Sequence, residues 1–188
     1  MNTKEALIGI LPIGRVPQAA CEAVTIFLRG NFGMDVCILP SVDEPLYALD
    51  AKRGQYNAAC IIERLESMEH RCLKLVGLLN LDLFIPVFTY VIGEAREGGT
   101  AAVASMFRLS GDFTGPDASQ DIILGRLTKV AIHETGHLFG VAHCHDRGCV
   151  MRFSISLTEI DAAPSTFCRY CHAYVEEAVR RARRTSAV

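Results

Sequence analysis

The chain has no surplus of positive charge, no unbroken apolar run long enough to cross a bilayer, no internal repeat and no low-complexity stretch. Each absence removes a class of function. Lys+Arg 19 against Asp+Glu 21 leaves a net charge of −2 and a pI near 6.3, so nothing in the composition favours a polyphosphate and no nucleic-acid partner is expected. The longest apolar stretch, 74–93, is broken by Asn80, Asp82, Pro86 and Thr89. A lipid-spanning helix needs about 20 apolar residues in succession, so two buried strands are expected there and no membrane partner. The apolar run Ala6–Ile13 is interrupted by Pro12 and followed by Gly14 and Arg15. That argues against export and makes a reducing cytoplasm the expected location. Charged residues are only 21% of the chain, half the residues are hydrophobic and the mean hydropathy is +0.24, which excludes a disordered segment. With no linker to divide it, the chain reads as one domain over 1–188.

The first half alternates strand and helix. Ala6–Ile13 and Met34–Leu39 read as buried strands. Between them Pro17 suits a first helical turn, Ala20, Val24, Phe27 and Leu28 share a face, and Gly30 is the expected stop. Asn57 is placed to cap a helix over 58–69. Strands are expected near 73–78, 87–92 and 101–109, the last two joined by a turn at Gly98-Gly99. The order implies a mixed sheet with helices packed on it. After a loop over 110–118, Ser119 can cap a long helix carrying Ile123, Leu127, Val130 and Ala131 inward, with its periodicity ending at Gly140. From there to Phe167 little regular pattern is visible. A last helix over about 168–184 ends in an arginine run, read as cations at a solvated helix C-terminus.

The informative segment is His133-Glu134-Thr135-Gly136-His137-Leu138-Phe139-Gly140-Val141-Ala142-His143. Histidines four apart on a helix project from one face, one turn apart, so both imidazoles can reach one zinc. Glu134 can act on a water at that metal without being a ligand. Gly140 allows the helix to break and His143 to return as a third ligand, leaving a fourth position open, which is the mark of a catalytic zinc. In sequences of this composition the five fixed positions arise by chance about 3 times in 100,000, so coincidence is set aside. Met151 lies eight residues beyond His143, where extended zinc-protease patterns carry a methionine turn.

Eight cysteines divide unevenly. Cys21, Cys37, Cys60 and Cys72 are scattered and read as small buried hydrophobes. Cys144, Cys149, Cys168 and Cys171 crowd together as C-x4-C, eighteen residues, C-x2-C. In a reducing compartment that spacing points to a metal before a disulfide, and four thiolates complete a closed, structural zinc shell without His145 or His172. Cys168 and Cys171 start the last helix, where the N-terminal field is expected to lower both thiol pKa values.

His133–His143 with Met151 resembles the metzincin signature, and the cysteines following it resemble those of the archaemetzincins, a branch with a second, four-cysteine zinc. Weaker similarity runs back through 75–79, 82–86 and 93–95, and 101–109 resembles the strand lining the family's cleft. The resemblance implies an α+β, zincin-like fold: a mixed twisted sheet with packed helices over residues 1–140, ending in the zinc helix, and a small C-terminal subdomain over 141–188. It implies hydrolysis of peptide or protein substrates with two zinc ions per chain. One sits on His133, His137 and His143 with Glu134 as general base, the other on Cys144, Cys149, Cys168 and Cys171. The edge strand near 101–109 is expected to hold an extended peptide by backbone pairing. The alternative reading is a zinc-containing binding or scaffold protein with negligible turnover.

Overall fold

The computed structural model describes residues 5–111, 118–154 and 156–186. In chain order it contains β1 (Glu5–Ile13), α1 (Gln18–Phe32), β2 (Asp35–Ile38), a single 3-10 turn at Leu46–Ala48, β3 (Leu49–Asp50), β4 (Gln55–Asn57) and α2 (Ala58–Ser67). There follow β5 (Cys72–Leu79), β6 (Leu83–Phe84), β7 (Gly93–Ala95), β8 (Ala101–Ser105), α3 (Gln120–Leu138), α4 (Leu157–Ala162) and α5 (Arg169–Ser186). The principal sheet has the order β2-β1-β5-β8-β7, parallel except for the antiparallel edge strand β7. It is the mixed sheet expected. β3, β4 and β6 form a second, small sheet.

Both faces of the principal sheet are covered, which is why β1 and β5 read as nearly continuous apolar runs. Ile8, Ile10, Val76, Leu78 and Ala104 pack into a core shared with α1, α3 and α5. Leu11, Ile13, Leu75, Leu79 and Val103 face α2 through Ile61, Ile62 and Leu65. The first core also takes in Val150, Met151, Phe167, Val175 and Val179, so the C-terminal segment packs on the sheet-and-helix body itself. Among the described residues no helix is long and apolar enough to cross a membrane.

Several local expectations need correction. Helix α1 runs past Gly30 to Phe32 and is capped at Gly33. Phe32 explains the extension, because its ring packs at 5.2 Å on Phe139 and 5.4 Å on Phe167. Residues 87–92 are not a strand: Arg53 donates to the carbonyls of Phe88 and Thr89, and Gln55 donates to that of Thr89. Side chains occupy the acceptors a neighbouring strand would need. The strand expected over 101–109 stops at Ser105, whose hydroxyl turns to the Leu81 carbonyl at 2.6 Å. Nor is it an edge: β8 is buried along its whole length between β5 and β7. The Gly98-Gly99 turn does join two strands, but they are β7 and β8. Helix α4, absent from the sequence reading, is only six residues long and is started by a capping box in which Ser156 and Glu159 satisfy each other's backbone amides. Asn57 and Ser119 cap α2 and α3 as expected. Of the scattered cysteines, Cys21 and Cys72 are buried but Cys60 is exposed. Apart from its ends, the loop expected over 110–118 lies outside the described residues. In the arginine run, Arg180 pairs with Glu177 and Arg183 donates to the Gly33 carbonyl.

Candidate active site

A cleft of about 750 Å³ opens between the edge strand β7 and the C-terminal half of α3, with residues 150–154 as its opposite wall. His133 and His137 project into it from adjacent turns of α3. Beyond the helix, Gly140 adopts a left-handed φ of +79°, and the chain reverses to bring His143 alongside them. The reversal is held by Gly140 N–H donating to the His137 carbonyl and Val141 N–H donating to that of Gly136. The three rings lie 4.7, 4.8 and 5.2 Å apart between centroids, and one nitrogen from each falls within 4.8 Å of the other two.

The outward nitrogens fix how these rings present themselves. Nδ1 of His133 is 2.9 Å from the Val150 carbonyl oxygen, and Nδ1 of His137 is 2.8 Å from that of Val141. A carbonyl only accepts, so both Nδ1 atoms carry the proton and both Nε2 atoms keep a lone pair. Those two Nε2 atoms are 3.1 Å apart. Two bare lone pairs facing each other at that distance repel unless a cation lies between them. Nitrogens each at about 2.0–2.1 Å from a tetrahedral zinc stand about 3.3 Å apart, so the donor set fits the metal. Burial pushes the His133 imidazolium down to about 4, with further lowering from the neighbouring rings. Burial lowers His137 and His143 as well, partly offset by the nearby charge of Glu97. Near neutral pH a metal need not displace protons from these rings.

Glu134 is buried on the same helix. Its proton affinity is raised well above the usual carboxylate range, chiefly by burial and secondarily by the charge of Glu94. Space for its carboxyl exists because residue 93 lacks a side chain: a Cβ on Gly93 would stand 2.7 Å from Oε1 of Glu134 and 2.8 Å from Cγ1 of Val130. Gly93→Ala is therefore expected to displace the Glu134 carboxyl and lower thermal stability by about 1–3 kcal/mol through overpacking; an unchanged melting temperature would show that the carboxyl has room to spare. On the other side of α3, a Cβ on Gly136 would come 2.5 Å from Sδ of Met151, which is itself fully buried. Met151 thus packs against α3 at Gly136, the residue before His137.

The second cluster is Cys144, Cys149, Cys168 and Cys171, whose sulfurs all fall within 4.8 Å of one another. Those of Cys144 and Cys168 are 3.9 Å apart, close to the ~3.8 Å separating thiolates that share a tetrahedral zinc at 2.3 Å. Cys149 and Cys168 are buried, and His145 and His172 stay outside the group. The helix-start argument holds for one thiol only. Backbone N–H groups of Cys171 and Tyr170 lower Cys168, whereas burial and the surrounding sulfurs raise Cys171 far above its ordinary value. Burial also raises Cys149. Four crowded thiols cannot all ionise without a cation to share.

Sequence reasoning missed three parts of the cleft. Phe153 stacks beside His143 at 5.0 Å between ring centroids. Glu94 and Glu97, on and just beyond β7, line the cavity. For Glu94 the sequence signal was the short run Gly93-Glu94-Ala95, too brief for a strand pattern, and Glu97 lies outside it.

The model of Peptidase family M54 matches residues 18–177. The chain belongs to peptidase family M54. Archaemetzincin of Methanocaldococcus jannaschii is 35% identical over 167 residues, which are 87% of this chain and 89% of the relative. The crystal structure of archaemetzincin from Methanopyrus kandleri aligns with a TM-score of 0.82 at 31% identity, covering 94% of this chain and 97% of that one. A zinc-dependent peptidase from Methanocorpusculum labreanum aligns at 0.80 and 27% identity, covering 89% and 99%. Membership of M54 makes this chain a zinc metallopeptidase acting on peptides or proteins, and its sheets and helices follow the archaemetzincin arrangement. The two donor clusters provide places for the zinc on which M54 peptidases depend.

Proposed function

We propose that this M54 peptidase cleaves peptide bonds at a zinc held by His133, His137 and His143, with Glu134 as general base. A second zinc on Cys144, Cys149, Cys168 and Cys171 serves structure. The observation that carries the reading is the pair of Nε2 atoms 3.1 Å apart, with both Nδ1 atoms beside carbonyl oxygens that can only accept, next to a buried carboxyl in the cleft. Zinc bound there supplies Lewis acidity, acidifying water and polarising a carbonyl. Glu134 takes the proton of the attacking water and returns it to the leaving amine, and the raised proton affinity of its buried carboxyl suits both transfers. An extended substrate lies along β7, whose outer edge has no partner strand among the described residues of the principal sheet; backbone pairing there gives affinity with little sequence choice. Met151 supports the floor of the site without taking part in the chemistry.

Residues 141–188 act as a C-terminal subdomain carrying the thiolate zinc, within one folding unit over 1–188. The shared core of Ile8, Leu127, Met151 and Val175 supports a single unit. A four-thiolate site fits a reducing cytoplasm, where we place the enzyme.

Fully reduced protein is expected to carry two zinc ions per chain. A chelator should remove the one at the open histidine site first, together with cleavage of a peptide library read by mass spectrometry, and added zinc should restore cleavage. At most one zinc in fresh protein, or cleavage that survives loss of the first zinc, would overturn the assignment.

A further inference from the structure

The charges lining the cleft are unevenly arranged. Gly93 lies over Val130 and Glu134, and Gly98 N–H donates to the His137 carbonyl at 2.8 Å. The chain from β7 into its turn therefore runs alongside α3 from Val130 toward His137. Glu94 and Glu97 lie on that path. Glu97 is near enough for His137 and His143 to feel its charge, as Glu134 feels that of Glu94. Among the described residues neither carboxylate has a cation or a hydrogen-bond donor beside it, and Glu94 is half-buried, which raises its proton affinity. A half-buried carboxylate without a partner is costly unless something else supplies the positive charge.

The other end of the cleft has the opposite sign. Lys129, one turn before His133, donates from Nζ to the carbonyls of Ile160 and Asp161 at 2.9 and 3.0 Å. Asp161 is already engaged by Arg126. An ammonium has three donors, so one remains for a ligand. Arg152 adds a cation on the opposite wall. Lys129 and His137 are eight residues apart, about 12 Å along the helix, which an extended peptide covers in three to four residues. Lys129 lies one turn before His133, and Glu97 precedes Gly98, which bonds the His137 carbonyl, so these two charges fall on opposite sides of a bond cleaved at the histidines, with Glu94 between them at the level of Glu134.

We propose that the cleft selects peptides with a basic side chain on the His137 side of the scissile bond, with Glu97 as the chief specificity residue and Glu94 adding to its field, and disfavours a basic side chain on the Lys129 side. The inference rests on the peptidase reading of this cleft and adds a substrate class to it.

The test uses matched peptides that differ only in Lys, Gln or Glu at single positions within two residues of the cut. Lys should raise kcat/KM over Gln by about tenfold on one side, mainly through KM, and lower it on the other. In the Glu94→Gln, Glu97→Gln double variant that Lys/Gln ratio should fall to about one, with zinc content unchanged, whatever the absolute rate. A second measurement does not need turnover: the zinc-loaded Glu134→Gln protein should bind a fluorescent Lys peptide about tenfold more tightly than its Gln counterpart, and less so as salt rises. Equal binding of the two peptides, equal kcat/KM on both sides of the cut, or a preference that survives the double variant would overturn the proposal. Failure of every peptide to be cleaved, with the binding preference intact, would overturn the peptidase assignment and leave the charge selection standing.

Discussion

Glu134→Gln is expected to lower peptide hydrolysis by about 10²- to 10⁴-fold, the usual contribution of a positioned general base. The amide matches the carboxyl in size, so the space left by Gly93 still accommodates it, and neither helical histidine loses its carbonyl partner. It cannot accept the proton of the attacking water. The fold and both zinc ions should remain, so circular dichroism and metal analysis should match the parent. Removing a buried carboxyl whose proton affinity is raised by burial and by Glu94 should, if anything, leave thermal stability unchanged or slightly higher. Parental turnover in this variant would overturn the assignment of the base.

The Cys168→Ser, Cys171→Ser double variant is expected to weaken zinc binding at the three histidines by about 10- to 100-fold, although neither cysteine touches them. The route is a short covalent and hydrogen-bonded path. Cys168 N–H donates to the Cys149 sulfur at 3.4 Å, and Cys149 is followed immediately by Val150, whose carbonyl accepts from His133 Nδ1. Cys144, next to His143, donates its N–H to the Met151 carbonyl at 2.9 Å. The sulfur cluster thus closes the loop 144–151, and that loop supplies an orienting acceptor for one histidine, the backbone position of another and the methionine beneath the helix. Loosening the loop frees the His133 ring to rotate or change tautomer. Competition with a fluorescent zinc indicator would measure the effect. A folded double variant with unchanged histidine-site affinity would show that the thiolate cluster merely fastens α5.

The His133–His143 segment was legible in the sequence because every constraint in it is local: two histidines one helical turn apart, the intervening Glu134, and a glycine where the helix must break. The cysteine cluster was legible from spacing in the same way. The strands β1 and β5 could be read because burial on both faces makes them apolar throughout, and α2 and α3 because Asn57 and Ser119 mark their first turns. What could not be read depends on contacts between distant segments. Phe88 and Thr89 have strand-like neighbours, yet Arg53 and Gln55 take up their carbonyls from more than thirty residues away. Gly93 looks like an ordinary turn glycine until α3 is laid across it. Glu94 and Glu97 carry no motif, and their place in the cleft follows from β7 being the edge of the sheet. The Cys171 thiol shows the same limit: a helix-start rule sets one direction, and burial together with three neighbouring sulfurs reverses it.

The contact between Gly93 and Glu134 has a consequence for inhibitor design. The edge that pairs with an extended ligand and the carboxyl that attends the reacting water are packed within van der Waals reach of each other, so they form one rigid surface. A peptidomimetic joining a backbone-pairing arm to a zinc-binding head would meet both features at a fixed separation, and a stiff linker of that length should gain more affinity than a flexible one.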